Sequence, residues 1–464
     1  MKKIAITCFL LMLISITCSF VLPLSPAFLS LFTKSDTLAQ EEMTTPENHP
    51  EIPSKEYPFK EYPVYTLQVQ DKGTYLEGAL EIIFTNSWGE DLNKLQLNLP
   101  ANLQGKENIK VKSILFNHNP VPLEQSLEKI VLQLPDSLTE GDSASIYVEF
   151  ETHYKNNFTR FGKYDDITLL ALWYPVLAPR KDGRWIDFQW VDYADPYYFE
   201  SAQFNLEFYT DEYLVTPFPS TYNGQYYSLT TPPVRDLTLV LGPFKKTSFK
   251  LSNRLEISYY YKTPRPELLE IAVDTFIFYQ NRYGYYPYPS MTIIDVPLNN
   301  FKGMEFSGII FLNQDENINV FTLAHEISHQ WWHTLVGNDQ ITESWIDESL
   351  ANYSAYKYCK SRHLPAALLY KAYFALADQK YSGQSMVKHI KDFPSETVYR
   401  QMVYLKGANF WLKIEDKIGE KALIDFLKNI QQEYRHKIID TQIILTGLSE
   451  KFKIPYSELE KMLN

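Results

Sequence analysis

Between residues 64 and 262, apolar side chains alternate with polar ones along short runs of the chain. The clearest runs are Leu80–Phe84, Leu95–Leu99 and Ile146–Phe150, in which every second residue is Leu, Ile, Val or Phe. Successive side chains of a strand point to opposite faces, so this pattern is typical of strands with one buried face. Turn residues separate the runs at short intervals. The region therefore predicts an antiparallel, sandwich-like all-β domain over residues 64–262.

The pattern changes near residue 263, where apolar positions take up helical spacing. The predicted elements are, in order, a helix over 266–284, a strand over 291–298, a long buried helix over 319–337 that ends at Gly337, and a helix over 344–360. The remaining residues also have helical character. We therefore predict a multidomain chain whose second domain, residues 263–464, is mixed α/β and mainly helical.

The first 39 residues have the layout of an export signal. Lys2 and Lys3 precede an apolar stretch from Ile4 to Leu22. This stretch is nearly long enough to span a bilayer, so an uncleaved membrane anchor is an alternative to a cleaved signal, and lipidation at Cys18 is a third. The lysines in front of it predict that the rest of the chain lies outside the cytoplasm, on the cell surface or secreted. Residues 40–63 are rich in Pro, Glu and Lys and predict a solvated linker.

Composition and charge narrow the classes of function. Aromatic residues make up 15% of the chain, which favours packed cores over disorder. The formal net charge is −12, and phosphate backbones repel an acidic protein, so nucleic acid is not an expected partner. The chain also lacks the glycine-rich phosphate loops of common nucleotide enzymes.

The strongest chemical signal is the sequence His325-Glu326-Ile327-Ser328-His329. Two imidazoles four residues apart on a helix can reach one metal ion, and Glu326 on the adjacent face can reach a water beside it. Glu348 follows His329 after eighteen intervening residues, at the start of the next predicted helix. A carboxylate from a neighbouring helix completes a His₂Glu zinc site. The spacing predicts one zinc ion per chain, bound by His325, His329 and Glu348.

Other polar residues near this motif have plainer interpretations. Asp339, Glu343 and Asp347 are expected to be solvated charges at helix ends. His333 continues the spacing by four more residues, but a continuous helix would carry it about 12 Å beyond His325. We therefore interpret His333 as a pocket-wall or structural histidine rather than a ligand.

At these motifs the sequence resembles the aminopeptidase N family of gluzincin peptidases. HEISHQWWH and WIDESLANY are similar to the family's HELAHQWWG and WLNEGFAxY. Residues 284–311 resemble the segment that leads into the family's GAMEN motif, and residues 404–408 resemble its YxKGA segment. These motifs occur in the family's order. The resemblance implies a thermolysin-like catalytic domain that hydrolyses peptide bonds with zinc.

The resemblance also implies roles for single residues. Glu326 is the expected general base, and Tyr404 the expected hydrogen-bond donor to the oxyanion. Glu305, in the segment Gly303-Met304-Glu305, is expected to bind the free α-amine of a peptide. Without the motif, Glu305 would be taken for a surface charge. The family's second group for the amine comes from the β domain, and the sequence leaves that group unassigned.

The chain departs from the family pattern at four positions near the site. These are Phe306 in place of Asn, His333 in place of Gly, Asp347 in place of Asn and Ser349 in place of Gly. Only about 60 residues follow the Tyr404 segment, so we expect a short form without the family's large C-terminal helical domain and with a more open cleft. An aminopeptidase is the favoured interpretation. The alternatives are a zinc endopeptidase, a surface peptide-binding protein of the same fold, and a hydrolase of another small substrate.

Overall fold

The computed structural model describes residues 62–155 and 159–464. The signal or anchor predicted over residues 1–39 lies outside the described residues, as does the predicted linker apart from residues 62 and 63. The described residues belong to one compact unit. Among them, no helix combines the length and the apolar character that a membrane crossing needs.

The first half of the described chain is built almost entirely of strands. Their bounds are β1 (Val64–Asp71), β2 (Tyr75–Thr85), β3 (Leu92–Asn98), β4 (Ile109–Phe116), β5 (Leu123–Gln125), β6 (Lys129–Leu138), β7 (Ser143–His153), β8 (Phe161–Tyr164), β9 (Ile167–Leu170), β10 (Val176–Leu177), β11 (Arg180–Lys181), β12 (Arg184–Trp185), β13 (Gln203–Tyr209), β14 (Leu214–Val215), β15 (Thr221–Tyr222), β16 (Tyr227–Thr230), β17 (Leu239–Leu241), β18 (Lys245–Ser252) and β19 (Leu255–Tyr261). A single 3₁₀ turn, Pro100–Asn102, interrupts the strands described here.

These strands form several sheets, of which the largest has the order β15-β16-β13-β1-β2-β7-β4. Its pairings are antiparallel except for β1 with β13. A second sheet has the order β10-β3-β6-β5, and a third has the order β14-β17-β9-β8. In β2 and β7, Leu80 lies opposite Val148 and Ile82 opposite Ile146, and all four side chains are fully buried. The alternating pattern is thus confirmed as the buried face of a mainly antiparallel β domain.

The second half combines a main sheet and a small two-stranded sheet, β23-β24, with a series of helices. Its strands are β20 (Ser290–Val296), β21 (Gly303–Phe306), β22 (Ile309–Asn313), β23 (Gly337–Asn338) and β24 (Ile438–Ile439). Its helices are α1 (Glu267–Tyr283), α2 (Val320–Ser328), α3 (Trp345–Ser361), α4 (Pro365–Lys380), α5 (Glu396–Tyr399), α6 (Gly407–Ile418), α7 (Glu420–Glu433), α8 (Thr441–Phe452) and α9 (Tyr456–Leu463). The main sheet has the order β18-β19-β20-β22-β21, so it takes in strands from both sides of the domain boundary predicted at residue 262.

The predicted helix over 319–337 is shorter than expected. Asn319 caps α2 by accepting a hydrogen bond from the backbone N–H of Thr322 at 2.8 Å, and the regular helix ends at Ser328. A π-helical segment, Gln330–Leu335, follows, with Trp332 and His333 outside helical geometry. The continuous helix to Gly337 was therefore wrong beyond Ser328.

An arginine of the β half explains where the helix breaks. The buried Arg235 guanidinium donates to the backbone carbonyls of His333, Phe199 and Lys437. The Cα of Gly337 approaches so closely that a Cβ there would lie 2.4 Å from the guanidinium carbon. A regular helix would use the His333 carbonyl internally, whereas here it turns outward to a charged donor.

Candidate zinc centre

Three side chains from two packed helices bring their electron-pair donors to one point. His325 lies in α2, His329 follows its last residue, and Glu348 lies in the first turn of α3. The Nε2 atoms of the two histidines are 3.1 Å apart, and Glu348 Oε2 is 3.1 Å from His325 Nε2 and 3.6 Å from His329 Nε2. A tetrahedral zinc with ligand bonds of about 2.0–2.1 Å needs ligand atoms about 3.3 Å apart. The structure thus brings the three predicted ligands together at the spacing that zinc requires.

The hydrogen bonds on the far side of each imidazole fix its tautomer. His325 Nδ1 lies 3.0 Å from Asn352 Oδ1, and His329 Nδ1 lies 3.1 Å from the carbonyl of Trp332. Both partners are acceptors, so each Nδ1 carries the proton and each Nε2 presents a lone pair. Two lone pairs and a carboxylate oxygen therefore converge with no proton between them. A divalent cation satisfies this arrangement, and the donor set suits Zn²⁺.

Glu348 is held as a carboxylate. One of its oxygens, Oε2, faces both imidazoles, at 3.1 and 3.6 Å from their Nε2 atoms. Its second oxygen, Oε1, accepts a hydrogen bond from the Tyr404 hydroxyl at 2.5 Å. The oxygen that faces the imidazoles is left for the metal.

Tyr404 lies beside the metal ligands although it comes from a distant part of the sequence. It occupies a second π-helical segment, Arg400–Lys406, between α5 and α6. Its ring stacks on the His325 imidazole at 5.8 Å between centroids and 13° between planes. Asn352 Nδ2 donates to the Tyr404 backbone carbonyl at 3.0 Å. The hydroxyl that the sequence assigns to the oxyanion is thus positioned by ring stacking and by the same Asn352 that orients a zinc ligand.

Glu326 is buried next to the ligands and its Oε2 has no hydrogen-bond partner among the described residues. Its carboxylate lies against the backbone of β21, where a Cβ on Gly303 would be 2.6 Å from the Glu326 carboxyl carbon. Burial raises the pKa of Glu326 to about 8. A carboxyl group with such a pKa can take a proton and release it near neutral pH.

Glu305 lies in β21, the strand at the end of the main sheet, and is only 8% exposed. The plain interpretation as a surface charge is therefore wrong. An oxygen of its carboxylate lies within 4.8 Å of carboxylate oxygens of both Glu348 and Asp195. Burial and the nearby Asp195 raise its pKa well above the ordinary value. The preceding Met304 is buried, so the strand fixes the position of Glu305.

Asp195 comes from the β half and was not found by sequence reasoning. The buried Arg160 guanidinium binds the Asp195 carboxylate and the Tyr197 hydroxyl, and it lies 5.6 Å from the ring centroid of Phe301. Asp195 lies in an irregular segment between strands, where no periodicity marks its direction. The one sequence feature that could have pointed to Asp195 is its position in a run of aromatic and acidic residues before β13.

The three acids expected to be solvated are buried instead. Asp339 and Glu343 face Lys181 of the β half, at 3.4 and 3.5 Å. Asp347 accepts hydrogen bonds from Asn338 at 3.0 Å and from Gln340 at 2.9 Å. Burial, reinforced by Glu348, raises the pKa of Asp347 to about 7.

Comparison with known proteins gives the same picture. Residues 267–464 match the model of the Peptidase family M1 domain. The chain is 26% identical over 218 residues to Tricorn protease-interacting factor F2 of Thermoplasma volcanium, a match that covers 42% of this chain and 27% of that protein. It is 21% identical over 437 residues to Aminopeptidase 2 of Candida albicans, covering 82% of this chain and 45% of the relative. The chain therefore spans less than half of the length of these curated relatives.

Solved structures agree in fold. A mutant M1 zinc metallopeptidase from Deinococcus radiodurans, bound to a Tyr-Ser-Ala substrate, aligns with a TM-score of 0.66 at 15% identity. The alignment covers 87% of this chain and 93% of that one. A β domain followed by a mainly helical catalytic domain is thus the fold of this chain.

Proposed function

We propose, since residues 267–464 are a peptidase family M1 domain, that the chain is a zinc-dependent aminopeptidase that removes N-terminal residues from peptides. The observation that carries this proposal is the buried Glu305, with Asp195 beside it, next to a metal ligand. Buried carboxylates that lack a full set of partners favour a cation. The ammonium group at the amino terminus of a peptide is such a cation.

The zinc bound by His325, His329 and Glu348 would supply a Lewis acid that polarises the scissile carbonyl and lowers the pKa of water. The residues of the chain do the rest. Glu326 takes a proton from the attacking water and gives it to the leaving amine. Tyr404 turns its hydroxyl from Glu348 towards the oxygen that gains negative charge. For these roles, Glu326 and Tyr404 must lie on opposite sides of the scissile carbon. Both side chains lie against the ligand cluster.

Glu305 and Asp195 set how far a peptide enters. Because both carboxylates come within 4.8 Å of Glu348, an ammonium group between them would hold the first peptide bond beside the metal. Arg160 neutralises part of the charge of Asp195 and fixes its direction. An acetylated terminus has no positive charge, so it would leave the buried Glu305 carboxylate without a charged partner.

The test compares a short peptide with its N-acetylated form. We expect the free peptide to be cleaved from its amino end and the acetylated one to be cleaved far more slowly. Glu305→Gln and Asp195→Asn should each narrow the gap, because an amide keeps the shape and loses the charge. Glu316→Gln, which alters an exposed carboxylate of the same half, is the matched control and should leave the gap unchanged.

Two other results would replace the proposal. Equal cleavage of both peptides at internal bonds would make the protein a zinc endopeptidase. Tight zinc binding and peptide binding without cleavage would make it a binding protein of the same fold.

We also propose that the enzyme works outside the cytoplasm. The support is the sequence of residues 2–22, two lysines followed by an apolar stretch. Protease added to intact cells should digest the catalytic half, unless that half is recovered from the medium. Full protection in the cell, with none released, would contradict export.

A further inference from the structure

Two of the four departures from the family pattern meet in space. His333 and Asp347 each bring a ligand atom within 4.8 Å of the other and of a Glu305 carboxylate oxygen. They reach this point from different elements: Glu305 from β21, His333 from the π-helical segment and Asp347 from α3. A continuous helix would have carried His333 away, so the break held by Arg235 is what creates the cluster.

The His333 side chain is 7% exposed, and its imidazole makes no hydrogen bond within the described part of the chain. A buried imidazole normally has a partner, because an unpaired polar group loses its hydration without compensation. No neighbouring group of the described residues is within hydrogen-bond distance of the ring nitrogens. The carboxylates of Glu305 and Asp347 lie somewhat farther away, within 4.8 Å. The ring is therefore an unused ligand directed into an acidic site.

Of the two carboxylates, Glu305 is short of partners. Gln340 Nε2 lies 2.9 Å from Asp347 and a long 3.5 Å from Glu305, and Asp347 also accepts from Asn338 Nδ2 at 3.0 Å. Two amide donors compensate two buried carboxylates so close together only in part. One imidazole nitrogen and two carboxylate oxygens, all buried, are a ligand set for zinc or a similar divalent ion.

We infer that Glu305, His333 and Asp347 form a second divalent-cation site beside the zinc centre. It is distinct from the first site because none of its residues is a ligand there. If the proposed function holds, an ion in this site occupies Glu305 and competes with the amino terminus of the substrate. The second ion would then be an inhibitor of the aminopeptidase, and free zinc would regulate it.

The test is a zinc titration of the full chain in chelator-buffered solutions, with bound zinc measured by elemental analysis. The wild-type protein should bind two ions, the second more weakly. His333→Gln and Asp347→Asn should keep the first ion and lose the second. His153→Gln, which alters a half-exposed histidine of the β half, is the matched control and should still bind two.

A second measurement follows peptide cleavage as zinc is raised. In the wild type, KM for a free-amine peptide should rise while kcat is unchanged. In the two variants the inhibition should move to at least tenfold higher zinc. A wild-type protein that never exceeds one zinc, or variants that bind the second ion as well as the wild type, would overturn the inference. Because the metal count needs no activity, it stands or falls separately from the proposed function.

Discussion

Asn352 connects His325, a proposed zinc ligand, with the segment that carries Tyr404, the proposed oxyanion donor. It lies one turn after Glu348 on α3, is 4% exposed, and uses both ends of its amide. Its Oδ1 accepts from His325 Nδ1 and its Nδ2 donates to the Tyr404 carbonyl, each at 3.0 Å. Substitutions at this position can therefore separate metal binding from turnover.

Asn352→Ala removes the acceptor and leaves the Nδ1–H of His325 unpaired in a buried site. An unpaired buried donor costs about 1–3 kcal/mol, and the loss of an outer partner typically lowers metal affinity roughly 10–100-fold. We expect zinc affinity, measured by chelator competition, to fall within this range. The exposed Asn281 of α1 provides the matched control, since Asn281→Ala should leave zinc affinity unchanged.

Asn352→Asp tests the tautomer of His325 more directly than Asn352→Ala does. The acceptor for His325 remains and becomes negative, so zinc affinity should equal or exceed that of the wild type. The second carboxylate oxygen, however, would face the Tyr404 carbonyl and displace that segment. Turnover should then fall, by less than the roughly 10²–10³ expected for the loss of an oxyanion donor. If Asp loses as much zinc as Ala does, the tautomer assigned to His325 is wrong.

Three further predictions concern single side chains. Glu326→Gln should keep stoichiometric zinc and lower kcat about 10²–10⁴-fold, and near-normal turnover would remove Glu326 as the base. Tyr404→Phe should lower kcat about 10²–10³-fold with the zinc retained, and an unchanged kcat would show that the hydroxyl serves only Glu348. Arg235→Met should lower the free energy of unfolding in urea by at least about 3 kcal/mol, because three buried carbonyls lose a charged donor. A change below about 1 kcal/mol would show that water replaces the guanidinium.

The sequence was sufficient where local spacing determines position. The alternation in β2 and β7 and the period of α1 and α3 predict these elements because each has one apolar face. His325, His329 and Glu348 could be predicted as a group, since helical spacing and the family motif agree on them. Glu305 and Tyr404 needed the motif, because a single Glu or Tyr has no spacing that marks it.

The failures share a physical cause. The helix over 319–337 was predicted to continue because its apolar pattern continues, but Arg235, about a hundred residues earlier, takes the His333 carbonyl. The acids Asp339 and Glu343 were predicted to be solvated because their partner Lys181 lies in the other half. Local sequence patterns cannot identify an interaction partner that is distant in the chain and comes close only through tertiary packing.

The charges of the β half therefore bear on the proposed reaction. Arg235 fixes the path of the chain after His329 by binding the His333 carbonyl. Lys181 pairs with Asp339 and Glu343, which precede Glu348. Arg160 binds Asp195 and so holds it near Glu305. Arg235 and Lys181 pair with groups of the other half, so these pairings depend on the two halves being docked, whereas the Arg160–Asp195 pair lies within the β half. On the proposed function, the second half alone holds the zinc ligands, the base Glu326 and Tyr404, yet it lacks Asp195, the second carboxylate for the amine, and Arg235, which directs His333. On the proposed function, substitutions that weaken the docking of Arg235 and Lys181 against the second half should thus affect recognition of the amino terminus before they affect the binding of zinc.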